Sequence, residues 1–309
     1  MPSAHLRDTI AECLSNLIQS QSRDDQIKSL KTLINLTKVN PQNRNSLAQA
    51  DGAIPILISL SKSTSPTIEI LALSILFNLS LNPNLKQSLA DMENILYLNT
   101  AILSSASPES TKLAASLLCS LAMLDKNKAK FGVAGTIQVL ITAISGPRSP
   151  ASHHLLSSLA ELVQFQGNCT VAVRSGAIPM LMRAVKSVDT EEDLSGTSLA
   201  VLCSLARFEE GLSELRKTDQ IVGSMMEVLK GRSMLSKEGA AEILIRLFDE
   251  SEGCVRDALR MPEFSSLIAD LSVRGSVKAR ERAAALMKKM MEANMDAYAD
   301  TKSLIYQWS

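Results

Sequence analysis

Aromatic residues are scarce: one Trp, three Tyr and six Phe in 309 residues, against an apolar share of 46%. A core that apolar with so few rings has to be built from Leu, Ile, Ala and Met, side chains that pack readily between helices. Charge of one sign is not in excess either, with 32 basic residues against 32 acidic. No global field therefore draws in nucleic acid or an anionic membrane surface. Long apolar runs are missing too. The richest stretch, Ile68 to Leu81, is interrupted by Glu69, Ser74 and Asn78, short of the roughly 18–20 residues that a bilayer span needs. The opening MPSAHLRDTIAECL lacks the basic-then-apolar order of a secretion signal. Five cysteines, an odd number without close pairs, argue against a disulfide framework. They suit a reducing compartment, so a cytoplasmic or nuclear location is expected.

Groupings that carry chemistry are absent as well. There is no Cys-x-x-Cys, no His-Glu-x-x-His and no phosphate loop. The histidines are His5, His153 and His154, and the adjacent pair cannot share a helix face. Cys119 and Cys203 are expected to fill equivalent core slots as small hydrophobes. Cys169 has nothing beside it that would lower its pKa. No catalysis, cofactor or metal is expected.

What is present is repetition. Gly52-Ala53-Ile54-Pro55 returns as Gly176-Ala177-Ile178-Pro179, with a weaker copy at Gly135-Thr136-Ile137-Gln138. A glycine closes one helix in the left-handed region, and a proline is tolerated in the first turn of the next. Ser65-Pro66, Ser107-Pro108 and Ser149-Pro150 recur at steps of 42 and read as serine caps with proline in the first turn. They could also be proline-directed phosphosites. Later units keep the serine alone, near Ser233 and Ser276. Asn43, Asn84, Asn127 and Asn168 mark the first helix of each unit and are expected to cap it, with Gly211 and Gly253 in that place afterwards.

A leucine series closes the third helices: Leu36, Leu79, Leu121, Leu162, Leu205 and Leu247, then Met290. Two short helices followed by a long one, at 41–43 residues per unit, is the three-helix armadillo plan. The expected fold is all-α, a right-handed armadillo-type α-solenoid of about seven three-helix repeats. Their approximate boundaries are 1–40, 41–82, 83–125, 126–166, 167–209, 210–251 and 252–294, making a single array over 1–294. A C-terminal tail, 295–309, carries Trp308 and is expected to fold back or stay loose. The acidic stretch Val188 to Gly196, with Glu191, Glu192 and Asp193, reads as a solvated loop or a contact for a basic partner.

The stretch NRNSLAQADGAIPILISLSKS, followed by LALSILFNLSLNPNLKQSL, resembles the armadillo repeats of plant U-box ubiquitin ligases and their stand-alone relatives. The shared pattern is Asn-Lys/Arg, then Gly-Ala-Ile-Pro-x-Leu, then Ala-x-x-x-Leu-x-Asn-Leu-Ser. Residues 43–82 match it best and 168–206 next, while the last two units match poorly. In that family a U-box precedes the repeats. Here the repeats are expected to start within the first few residues, with no room for it before them, and the resemblance then implies substrate or partner binding without ligase activity.

In such a stack the third helices line a concave groove that takes an extended partner. The residue before each aligned leucine should face it: Asn35, Asn78, Ser120, Glu161, Ser204, Arg246 and Lys289. One turn earlier lie Lys31, Ser74, Ser116, Ser157, Ala200 and Glu242. The resemblance implies that Asn35 and Asn78 hydrogen-bond the backbone of a bound peptide, a task suited to an amide that both donates and accepts. The alternative is that they satisfy local backbone groups. The expected function is a non-catalytic protein–protein interaction scaffold whose partner is a protein, with neither nucleic acid nor membrane as ligand. A substrate-binding or regulatory component of a ubiquitin ligase system is the alternative.

Overall fold

A computed structural model of the chain describes residues 4–20, 22–104, 107–186 and 192–307. No strand occurs among them. The chain divides into two compact units, Met1–Val171 and Ala172–Ser309. The first holds α1 (Ala4–Gln19), α2 (Arg23–Val39), α3 (Pro41–Ala48), α4 (Ala53–Ser61) and α5 (Pro66–Ser80). A 3-10 turn (Pro83–Leu85) leads to α6 (Lys86–Leu89), α7 (Met92–Ser104) and α8 (Pro108–Ala122). After them come α9 (Asp125–Val133), α10 (Thr136–Ser145) and α11 (Ser152–Leu162), and the boundary at Val171 falls within α12 (Gln166–Arg174). The second unit contains α13 (Ala177–Lys186), α14 (Glu192–Leu205), α15 (Glu209–Lys217) and α16 (Ile221–Lys230). It continues through α17 (Met234–Glu250), α18 (Glu252–Leu259) and α19 (Phe264–Arg274) to α20 (Val277–Gln307).

Backbone chemistry sets these boundaries. Gly52, Gly135 and Gly176 have φ of 72°, 75° and 80°, and each immediately precedes a second helix (α4, α10, α13). Only glycine enters that region without steric cost. Ahead of α16 the same place is taken by Gln220 at φ 52°, which costs about 1 kcal/mol for a residue with a Cβ. Ser65 and Ser107 are N-caps with proline in the first turn, and the Ser107 hydroxyl accepts from the Ser110 amide at 3.4 Å. The third Ser-Pro pair behaves differently: α11 begins only at Ser152, and Ser149 caps the preceding turn through the Ala151 amide at 3.2 Å. Ser233 and Ser276, which lack the proline, accept from Ser236 and Ala279 amides at 3.3 and 3.1 Å.

The long helices stack. In the first unit α2, α5, α8 and α11 pack in that order, and in the second α14 packs on α17 and α17 on α20. Leu79, Leu121 and Leu162 are wholly buried between them, each contributing about 2–3 kcal/mol of apolar burial. Leu205 and Leu247 hold the equivalent places in the second unit. Leu36 is only half-buried, and Leu33, one turn earlier, fills the core of α2 instead.

Three of the four marker asparagines have a different job from the expected one, while the fourth, Asn84, is exposed in the 3-10 turn that Asn82 caps. Asn40 caps α3, accepting from the Gln42 amide at 2.9 Å, whereas Asn43 sits inside that helix and donates backwards to Leu36 O at 2.9 Å. Asn127 donates to Leu121 O and Asn168 to Leu162 O, at 3.0 and 2.9 Å. Each therefore binds a carbonyl at the open C-terminus of the preceding third helix, on the aligned leucine itself, where helical partners run out. Asn127 and Asn168 also reach the previous first-helix layer, at Lys86 O and Lys128 O. At Gly211 a Cβ would lie 2.1 Å from Leu205 O, so backbone closes on that carbonyl where a side chain did before.

The last helix continues through Gln307, so the tail from 295 to 307 is helical rather than loose. Trp308 lies outside the described residues, as do Val188 to Glu191 of the acidic stretch. Glu192 and Asp193 begin α14.

Candidate partner-binding face

The positions expected to meet a partner fall on the third helices, and their surroundings differ. On α2, Lys31 and Asn35 are exposed. Ser74 on α5 and Ser116 on α8 are half-buried, and each hydroxyl donates to a carbonyl one turn back, Ile70 O at 2.8 Å and Lys112 O at 2.7 Å. That leaves each serine with oxygen lone pairs as its remaining hydrogen-bonding capacity. Ser157 on α11 is half-buried at the same level.

Asn78 and Ser120 are occupied by their neighbours instead. Asn78 is 7% exposed, and its amide donates to the Thr37 hydroxyl at 3.0 Å. Ser120, 6% exposed, accepts from the Ser80 hydroxyl at 2.8 Å and donates to Ser80 O at 3.2 Å. Both side chains join one long helix to the one before it. Asn78 thus serves neither a peptide nor a local backbone group but a side-chain hydroxyl on the preceding long helix, while Asn35 is exposed.

Lysines cross the C-termini of the long helices. Lys86 donates to Ser120 O at 2.6 Å, and burial pushes its ammonium below the usual lysine range. Lys128 is buried, 2.8 Å from Asp125 and 3.8 Å from the Glu161 carboxylate, and donates to Gln164 at 3.2 Å. A cation over the negative end of a helix is favourable. Glu161 is thus a charge already matched within the unit.

In the second unit Ser204 is half-buried and donates to Ala200 O at 3.0 Å, with Ala200 exposed. Glu242 and Arg246 are partners of each other: Arg246 places Nε and Nη2 on one carboxylate oxygen at 3.0 and 2.8 Å. The other oxygen takes Arg282 Nε from α20 at 3.0 Å. Lys289 pairs with Asp249. Near Arg246, a cleft of about 440 Å3 lies between α15 and the C-terminal ends of α14 and α17, with Arg207, Arg216, Glu209 and Glu250 in its walls.

Among the described residues no group of three or more His, Cys, Asp or Glu could hold a metal ion. Desolvation raises the Cys119 thiol and pushes Cys203 up to about 12, opposite to what a nucleophile needs. Both residues keep some surface, less buried than a full core slot would make them. Cys203 Sγ nevertheless points inward to Gly239 O at 3.4 Å. No single described helix is long and apolar enough to cross a membrane.

The profile of the plant U-box protein ARM repeat region matches residues 9–305. The chain belongs to this family. Similar curated proteins include U-box domain-containing protein 1 of Medicago truncatula, 30% identical over 117 residues, or 38% of this chain and 17% of that protein. U-box domain-containing protein 17 of Arabidopsis thaliana is 26% identical over 133 residues, 43% of this chain and 18% of that protein. In these matches the ARM repeat chain spans less than a fifth of either relative's length. Among solved structures, an engineered protein superposes over 94% of this chain and 71% of its own with a TM-score of 0.79 at 16% identity. A designed armadillo repeat protein in complex with the peptide (KR)4 covers 79% of this chain and 100% of its own, with a TM-score of 0.69 at 15% identity. At those identities the likeness shows the fold, an armadillo-type α-solenoid.

Proposed function

We propose that this ARM repeat chain is a non-catalytic interaction scaffold that holds an extended protein segment along its third helices. The observation that carries this reading is the row Ser74, Ser116, Ser157, equivalent positions on three successively packed helices. Small side chains let a peptide backbone approach closely. The Ser74 and Ser116 hydroxyls, which already donate within their own helices, offer lone pairs to incoming amides. Lys31 and Asn35, both exposed on α2, extend the row with a cation and an amide. The designed armadillo repeat protein with a bound (KR)4 peptide supports the mode on this fold. A photo-crosslinking residue at Ser116 tests it. Partner adducts that disappear with Ser74→Arg are expected. Adducts from position 96 on α7 but not from 116 would overturn the reading.

A second reading, a substrate-binding or regulatory component of a ubiquitin ligase system, draws on the U-box relatives. In that case the chain would alter substrate choice when added to a U-box ligase, scored by ubiquitin-chain formation. A reducing compartment, cytoplasm or nucleus, fits either use.

A further inference from the structure

Four large apolar side chains stand exposed in the first unit at one fixed interval. Val39, Leu81, Met123 and Phe165 are spaced by 42 residues each and are 83%, 44%, 61% and 43% exposed. Val39 is the last residue of α2, Leu81 and Met123 are the C-caps of α5 and α8, and Phe165 follows α11 by three residues. Scattered exposed apolar residues are ordinary on a protein surface, whereas these four recur at the same place behind successively packed long helices. These four are held in register. The Thr37–Asn78 bond lies beside the first two, the Ser80–Ser120 pair beside the second and third, and the Lys128–Gln164 bond beside the fourth.

We infer that this ladder is an interaction surface, distinct from the serine row, for a partner segment that combines apolar and acidic residues. Charge selects the acidic component. Lys38 and Lys126 are exposed next to the rungs and form no ion pair among the described residues. The nearby acids, Asp125 and Glu161, are both held by Lys128. An apolar row edged by unmatched cations favours carboxylates over lysines on whatever covers it. The surface stands on its own observations, independent of the serine row.

The test is a selection of 16-residue phage-displayed peptides on the intact chain, with binding of recovered synthetic peptides measured by fluorescence anisotropy. Recovered sequences rich in Leu, Ile or Phe together with Asp or Glu are expected. Their affinity should fall by about tenfold or more in Met123→Ser/Phe165→Ser, as for loss of central apolar anchors. A several-fold loss is expected in Lys126→Glu and little change in Ser116→Arg. Since all these side chains reach the surface, unaltered melting of the variants checks that the fold is kept. Failure to recover binders, a preference for basic peptides, or indifference to the double variant would overturn the inference. So would sedimentation showing a dimer that Met123→Ser/Phe165→Ser dissolves, because the ladder would then serve a second copy. Loss of binding in Ser116→Arg alone would place the peptides on the serine row, leaving the proposed scaffold function intact and the ladder refuted.

Discussion

The side-chain amide of Asn78 donates to the Thr37 hydroxyl across 3.0 Å, although 41 residues separate the two in sequence. Thr37 in turn donates to Leu33 O at 2.8 Å, so the pair ties α5 to the backbone of α2. A buried bond of this kind contributes about 1–2 kcal/mol once the cost of leaving an acceptor dry is included. We expect Asn78→Ala to lower unfolding stability by that amount in urea. Thr37→Val should remove the same energy, and the double variant should cost less than the sum of the two. Strict additivity in this cycle would show that the bond contributes nothing.

The asparagines behind the third helices should rank by how many carbonyls they hold. Asn168, 2% exposed, serves Leu162 O and Lys128 O, whereas half-buried Asn43 serves only Leu36 O. Asn168→Ala is therefore expected to cost about 2–3 kcal/mol and Asn43→Ala about 1 kcal/mol. Chemical denaturation of the two variants side by side decides it, and equal losses would contradict the assignment.

At Gly211 a methyl group would sit 2.1 Å from Leu205 O and 2.6 Å from its carbonyl carbon, both backbone atoms. The joint between α14 and α15 has to open to admit it. We expect Gly211→Ala to destabilise by about 2–3 kcal/mol, as overpacking does, despite alanine's better helix propensity. A stability gain, measured by thermal melting, would show that the joint relaxes freely.

Cys203 gives the pH dependence a sign. Desolvation, reinforced by Glu242, raises its thiol from 9.0 to about 12 in the folded chain. Above pH 9 the unfolded thiol loses its proton and the folded one keeps it. The stabilisation is thus fully present below pH 9 and is lost on going from 9 towards 12. One such proton contributes a slope of about 1.4 kcal/mol per pH unit. Urea midpoints of wild type and Cys203→Ala across that range should converge as pH rises. Parallel curves would contradict the burial.

Ion pairs in the second unit should differ by burial. Arg282 lies between Glu238 and Glu242 at 26% side-chain exposure, while Arg256 pairs with a Glu252 that is 92% exposed. Exposed pairs contribute little, and partly desolvated, multiply bonded ones more. Arg282→Ala is expected to cost about 1–2 kcal/mol and Arg256→Ala less than about 0.5 kcal/mol, read from melting midpoints.

Much of the fold was legible because backbone stereochemistry leaves marks that do not depend on the rest of the chain. Gly52, Gly135 and Gly176 announce the left-handed turns they make, and Ser65-Pro66 announces the first residue of α5. Side-chain partners left no such marks. Asn43 and Asn168 look like caps for the helices they sit in, yet they bind the helix before, because a spacing shows where a residue recurs and not which way its amide points. Asn78 and Ser120 fell on the expected face by register but turned out buried, since their acceptors, Thr37 and Ser80, come from the preceding long helix. Glu242 and Arg246 were read only as two groove positions; their i,i+4 spacing permits the pair they make, and Arg282 joins it from another helix. The row from Val39 to Phe165 was present as a period, and it became informative only when the helix ends proved to leave it uncovered.

Asn127 and Asn168 grip main-chain oxygens, Lys86 O, Leu121 O, Lys128 O and Leu162 O, rather than any chosen side chain. Every amino acid supplies such an oxygen. These contacts, unlike the Thr37–Asn78 and Ser80–Ser120 pairs, are accordingly indifferent to the side chains of the adjoining repeat, and a segment duplicated, deleted or transplanted within the chain meets such acceptors wherever it lands. Chains of this kind can change length and recombine while their outward surfaces diverge.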